Sequence, residues 1–394
     1  MVKECRLTSA ASRVGRFVLL LLALTAAACA FSQPARRSST RPPAAPVAPQ
    51  TATLSLIPAR FADLPGWASD QHAAGLLALQ RSCVKVTGRS PQEWFGGNEL
   101  SGRVAHWQQI CDASYRIGFD DRAARRFFEE YFQPYRAVNG STDVGLFTGY
   151  YEPVLRGSWH PYGPYTVPIY RLPPEAALAN GRAAPLPSRA QIDTGALSGR
   201  GLELLWVDDP ADAFFLHVQG SGQVEMTDGS RVRVGFAGKN GHPYFPIGAE
   251  LVRMGEVPQE RMSMQAIRSW LATHPRQAPG LMAKNASYVF FRLIDGEGPI
   301  GAQGVPLLPA RSMAVDPSFV PYGAPLWIDT TDPIVTGAPL RRLVVAQDTG
   351  TAIKGPIRGD LFWGSGEDAC ARAGSMKQPG RLFLLLPKAA MATS

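Results

Sequence analysis

The chain has 394 residues, 45% apolar and 18% charged, with a formal net charge of +8. This composition excludes an intrinsically disordered protein, and the length suffices for two domains with cores of their own. The 39 glycines and 34 prolines favour short strands and tight turns over a helical bundle.

The first 28 residues read as an export signal peptide. Lys3, Arg6, Arg13 and Arg16 form a basic start, and Phe17 to Leu24 is an apolar run too short to span a membrane. Ala26-Ala27-Ala28 then leads into Cys29. A bare triple alanine is a simple signal-peptidase site, whereas a cysteine at that junction resembles a bacterial lipoprotein signal, so lipidation of Cys29 is expected. Removing residues 1–28 takes away four basic side chains and one acidic one, leaving a net charge of +5. That suits an acidic polymer or an anionic surface. No nucleic-acid motif is present, so nucleic acid is not an expected partner.

Residues 29–54 read as a Pro-rich tether, with five prolines and three arginines between 30 and 53 and few bulky apolar side chains. Extended as polyproline, residues 30–53 reach about 75 Å. The spacing of apolar residues predicts helices over 68–95 and 104–135, the second from Val104, Trp107, Ile110, Tyr115, Phe127 and Phe128. After Phe147 short apolar segments suggest strands, among them 202–207 and 214–218, and Met262 to Thr273 reads as one more helix. Strands return at 313–315, 325–328, 343–346 and 382–386. Runs such as Leu343-Val-Val-Ala346 suit the core of a closed β-barrel. Cys83, Cys111 and Cys370 are not spaced as metal ligands. In an oxidising compartment the first two form either a disulfide or a pair of buried thiols.

The densest polar cluster runs from 312 to 374. It holds Asp316, then Asp348-Thr349-Gly350, Lys354-Gly355, and Arg358-Gly359-Asp360-Leu-Phe-Trp363. A carboxylate at the end of a buried strand, with a second one nearby, has its pKa raised and becomes a candidate acid; the same triplets also serve as ordinary turns and caps. Thr148-Gly149-Tyr150-Tyr151, His217 to Gly222 and Ala237 to His242 bring hydroxyls, amides and aromatics beside glycine, as in a saccharide groove. A competing scheme pairs Asp193-Thr-Gly with Asp348-Thr-Gly, 155 residues on, as the two halves of a bilobal aspartic protease. No serine-hydrolase elbow or zinc-protease motif occurs, and neither a metal nor a cofactor is expected.

Collinear segments resemble the membrane-bound lytic murein transglycosylase A (MltA) family. They are Phe147-Thr-Gly-Tyr-Tyr-Glu-Pro153, Pro168 to Pro174, Leu186 to Ala190, Val218-Gln-Gly-Ser-Gly222, Ala237-Gly-Lys-Asn-Gly-His242, Met262 to Arg268, Tyr288 to Phe291 and the three-aspartate segment. The resemblance implies a mainly β fold with N-terminal helices, namely a double-psi β-barrel with a smaller inserted β domain. Its expected pieces are a barrel part at 55–154, the insert at 155–293 and the barrel's three-aspartate part at 294–388. It implies a lytic transglycosylase whose catalytic acid falls on Asp360, with Asp348 in support. Substrate-binding positions fall on Thr148, Gly149, Tyr150, Tyr151, Gln219, Gly220, Ser221, Lys239, Gly350, Lys354, Gly355 and Trp363. The implied substrate is peptidoglycan, met by a monomeric lipoprotein at the periplasmic face of the outer membrane or, without the lipid, in the soluble periplasm. Cell-wall synthesis proteins are candidate recruiting partners. Asp193 falls in a variable position of the family. A peptidoglycan-binding protein with an idle carboxylate is the non-enzymatic alternative.

Overall fold

A computed structural model describes residues 52–391 apart from 98, 178–185 and 297. The export signal, Cys29 and nearly all of the tether lie outside these residues. Fourteen strands are described: β1 Ser55–Pro58, β2 Phe132–Val138, β3 Gly145–Glu152, β4 Val154–Ser158, β5 Val167–Tyr170, β6 Glu203–Val207, β7 Ser221–Met226, β8 Arg231–Lys239, β9 Val289–Leu293, β10 Ser312–Ala314, β11 Pro325–Thr331, β12 Pro339–Asp348, β13 Arg358–Ser365 and β14 Lys377–Pro387.

They form two sheets. The larger runs β1-β2-β14-β11-β12-β10-β13-β3, and β3 also pairs with β14. That last pairing closes β14, β11, β12, β10, β13 and β3 into a ring and leaves β1 and β2 as a flap on β14. A ring has no exposed edge, so strands as apolar as Leu343–Ala346 and Leu382–Leu386 are buried on both faces. The smaller sheet runs β5-β6-β4-β7-β8-β9. The chain passes from one sheet to the other at Pro153, between β3 and β4. Glu152 pins this crossing. It is 2% exposed, and its carboxylate accepts from Arg233 Nε on β8 (2.7 Å) and Gln223 Nε2 on β7 (2.7 Å).

The N-terminal helices are His72–Val86, Val104–Ser114 and Asp121–Tyr131. Their apolar faces share one core with the ring: Leu76, Leu79, Trp107 and Phe128 join Trp327, Leu343 and Leu384. The expected helix over 104–135 is thus two helices and a strand. Asp120 restarts the helix by accepting from Ala123 N (2.7 Å). Pro134 has no amide to donate, and the backbone is already extended at Phe132.

A second expectation is overturned at 214–218. Phe214 to Val218 lies in the helix Pro210–Gln219, not in a strand. Asp209 accepts from Ala211 N and Asp212 N, Pro210 stands in the first turn, and Gly220 ends the helix at φ +81°. The caps decide the conformation that a short apolar run leaves ambiguous. Further helices, Ile247–Arg253, Met264–Thr273 and Ala278–Ala283, make this half a mixture of helix and sheet.

Cys83 and Cys111 form a disulfide joining the first two helices across 28 residues, and Cys370 is buried near Tyr151. Closing a loop of that length restricts the unfolded chain by about 3–4 kcal/mol. Replacing both cysteines with alanine is expected to lower the urea midpoint accordingly. An unchanged midpoint would show that the helices are held without it.

Candidate active site

The ring's register assembles the site. Ala314 on β10 pairs with Asp360 on one side and Asp348 on the other. Asp360 pairs in turn with Thr148 on β3, and Thr148 with Lys377 on β14. Residues from five strands thus form one row. Asp348 and Asp360 stand two strands apart in it, about 10 Å at the backbone.

Asp360 is partly buried. Its Oδ1 accepts from the Thr148 hydroxyl at 2.5 Å, and the Thr148 oxygen accepts from Arg358 Nη2 at 2.8 Å. A hydroxyl has one hydrogen. With Arg358 donating into the oxygen, that hydrogen goes to Asp360 Oδ1, so the proton of a neutral Asp360 sits on Oδ2. Oδ2 has no hydrogen-bond partner among the described residues. Burial pushes the Asp360 carboxyl above the ordinary range. The Thr148 bond and the Arg358 charge pull it back, and the Asp348 charge adds to the rise.

Asp348 is caged instead. Oδ1 accepts from the backbone N–H of Ala302 and of Thr349, both at 2.9 Å, and Oδ2 accepts from the Tyr150 hydroxyl at 2.8 Å. Burial raises its pKa against those three bonds. Asp316 is 4% exposed and accepts from Gly355 N (2.9 Å) and Ser318 N (3.2 Å). Burial works to raise it, but these amides and the Lys354 charge outweigh burial and hold it below the usual range. The Gly355 amide therefore orients Asp316.

The other expected positions divide. Lys239 reaches from β8 to within 3.5 Å of the Thr351 hydroxyl, bringing the smaller sheet against the loop that carries Gly350, Lys354 and Gly355. Tyr150 lies tilted against Phe362, with ring centroids 5.3 Å apart, while holding Asp348. Tyr151 alternates to the opposite face. It is 5% exposed among Ala369, Cys370 and Ala373, with its hydroxyl 3.5 Å from Arg268. Gln219 accepts from Tyr151 N (3.1 Å), Gly220 is a helix cap and Ser221 a ladder residue opposite Gly235. Trp363 lies across Gly149, where a Cβ would come within 2.6 Å of its Nε1, and the Arg372 and Arg342 guanidinium groups lie 5.2 and 5.7 Å from the ring centre. Asp193 has Arg189, Tyr170 and Tyr288 for electrostatic neighbours and shares none with Asp348. His217 is buried against Arg189, with their nitrogens 3.0 Å apart.

Two contributors are given no role by the sequence alone. Arg358 stands two residues before Asp360 on the same strand, so period-two alternation places both on one face and offers the signal. The Ala302 amide has no side-chain signature at all. Among the described residues no group of three or more His, Cys, Asp or Glu side chains is arranged to hold a metal.

Residues 146–292 match the family model described as the MltA specific insert domain, and residues 311–386 match the 3D domain. Membrane-bound lytic murein transglycosylase A of Escherichia coli (strain K12) is 37% identical over 322 residues, covering 79% of this chain and 82% of that protein. The crystal structure of a membrane-bound lytic murein transglycosylase from Agrobacterium tumefaciens is 34% identical, with a TM-score of 0.76 over 86% of this chain and 99% of that one. The crystal structure of E. coli MltA with bound chitohexaose is 32% identical, with a TM-score of 0.64 over 84% of this chain and 91% of that one. Two matched family segments, long relatives above 30% identity and agreement of fold converge: the chain belongs to the MltA family.

Proposed function

We propose that the protein cleaves the β-1,4 bond between N-acetylmuramic acid and N-acetylglucosamine in peptidoglycan without water, leaving 1,6-anhydromuramoyl ends. The observation that carries this reading is the count of available carboxylate oxygens. A hydrolase needs two working carboxylates, one as acid and one as nucleophile or base. Both oxygens of Asp348 and of Asp316 are occupied by protein donors, and Asp360 Oδ2 alone stands open in the row.

One carboxyl suffices when the nucleophile belongs to the substrate. Asp360 Oδ2 gives its proton to the glycosidic oxygen as the C1–O bond breaks. The carboxylate then takes the proton of the muramoyl C6 hydroxyl as that oxygen closes on C1, and Asp360 returns to its starting form. The closing hydroxyl is tethered, so its effective concentration far exceeds what a passing water achieves. Burial favours the protonated form of Asp360, and the Asp348 charge adds to it. The Asp348 oxygens are spent on structure.

Around this centre the closed ring is assigned as a double-psi barrel made from residues 55–154 and 294–388, with 155–293 as its insert. The glycan lies between the two, where Lys239 meets Thr351. The relative from E. coli with bound chitohexaose supports a β-linked sugar chain as the ligand class. Lipidation at Cys29 and the 29–54 tether fit an enzyme anchored at the outer membrane and reaching into the wall.

Mass spectrometry of muropeptides released from purified peptidoglycan tests the reading. Products one water lighter than hydrolysis products are expected. Ordinary reducing ends would make the protein a hydrolase, and binding without release would leave a wall-binding protein. Thr148→Val provides a second check. Losing the hydroxyl is expected to lower kcat about ten-fold or more. It also removes a bond that lowers the Asp360 pKa, so the alkaline limb of the pH–rate profile should move upward. An unmoved limb would mean that Thr148 does not act through Asp360.

A further inference from the structure

A cavity of about 550 Å³ lies apart from the carboxylate row, between the helix His72–Val86 and the turn that precedes β10. Its wall includes Asp70, Leu77, Phe119, Leu308, Arg311 and Arg342. The charges within it are unevenly matched. Arg311 gives two hydrogen bonds to Asp70 (2.7 and 2.9 Å) and a third to the Leu343 carbonyl (2.9 Å). Asp70 also accepts from Leu343 N at 2.8 Å. That pair is complete.

Arg342 is not. Its side chain makes no hydrogen bond or ion pair among the described residues, and its Nε is removed from solvent without a partner. The Trp363 ring centre lies 5.7 Å from its guanidinium carbon. Burial, with the Arg311 charge beside it, pushes its pKa down to about 10. A guanidinium carries five donors, and leaving a buried one unmatched is costly. On the same wall Ala310 has φ +57°, the lone positive value outside glycine among the described residues, so the backbone is strained where it borders the cavity.

We infer that this cavity binds a free carboxylate carried on a small apolar body, such as the C-terminus of a short peptide, with Arg342 as its partner. The planar fork of a guanidinium matches a carboxylate in bidentate fashion, and Asp70 leaves the two arginines with a single net positive charge for the ligand to meet. Leu77, Leu308 and the exposed ring of Phe119 at the mouth supply the apolar surface. The inference does not depend on the glycan reaction. It touches that site through Trp363, which packs against Gly149 beside Thr148.

Titration calorimetry of the protein with N-acetyl-alanyl-alanine, with the C-terminal amide of the same peptide and with inorganic phosphate tests it. The free acid is expected to bind, the amide about ten-fold more weakly or less. Arg342→Gln is expected to reduce acid binding by a similar factor. Ala74→Phe fills the cavity from the helix side without touching a charge, is expected to do the same, and decides the matter if Arg342→Gln fails to fold. No heat from the free acid, equal binding of acid and amide, phosphate binding tighter than the acid, or binding that survives Ala74→Phe would each overturn the proposal.

Discussion

Asp360→Asn is expected to remove transglycosylase turnover, lowering the rate by about 10³-fold or more, while leaving the fold intact. Asparagine keeps an oxygen for the Thr148 hydroxyl, so the register and the Arg358–Thr148 contact have no reason to change. The same substitution carries a stability signature of opposite sign. Because the folded-state pKa of Asp360 is raised, the folded protein binds its proton more tightly than the unfolded chain does. The corresponding stability is fully present below the unfolded value of about 4 and is lost as pH rises through the folded value. At neutral pH the titrating carboxyl, which must hold its proton in the fold or be buried charged, is therefore a cost that the amide lacks. The variant should melt at a higher temperature than the parent at pH 7, with the gap closing below about pH 4. An active Asp360→Asn would end the assignment of the acid. A variant no more stable at pH 7 would show that burial does not penalise the charge as described.

Asp70→Ala is expected to be the costliest single change to the fold, about 3–5 kcal/mol by urea unfolding. Asp70 and Arg311 are each 7% exposed. Removing the carboxylate strands a buried guanidinium and the Leu343 amide together, which is why truncating one partner costs more than the pair contributes. Replacing both, as Asp70→Leu with Arg311→Met, should recover most of the loss. A cost below about 1 kcal/mol for Asp70→Ala would mean that water reaches Arg311.

The two halves of the fold were legible to different degrees. Strands β11, β12 and β14 announced themselves, because residues buried on both faces of a closed ring must be apolar without interruption. The stretch 214–218 is equally apolar and equally short, and was misread because its identity lies in Asp209, Pro210 and Gly220 outside the run. The site shows the same division. Asp360 stands out as an aspartate between glycine and an apolar strand. Its partner Thr148 is 212 residues away, and only the parallel register of β3 on β13 brings them together. Tyr150 and Tyr151 look alike in sequence, yet pleating sends one to Asp348 and the other into packing under the helix Glu367–Ser375. Spacing along the chain carries no record of a pairing made across a barrel, and the family resemblance supplied what spacing did not.

The closing pair, β3 with β14, also bears on when the row of Asp360 and Thr148 is assembled. Its two strands are separated in the chain by the entire smaller sheet and by most of the ring. Contacts that distant cost loop-closure entropy before any pairing offsets it, so they are expected to form late in folding. Asp360 meets Thr148 on the neighbouring parallel pair, which is likewise made between distant strands. A chain trapped with β3 unpaired holds Asp360, Asp348 and Thr148 and lacks the row that joins them. The barrel seam thus doubles as a safety catch: Asp360 and Thr148 come together only once β3 is in place.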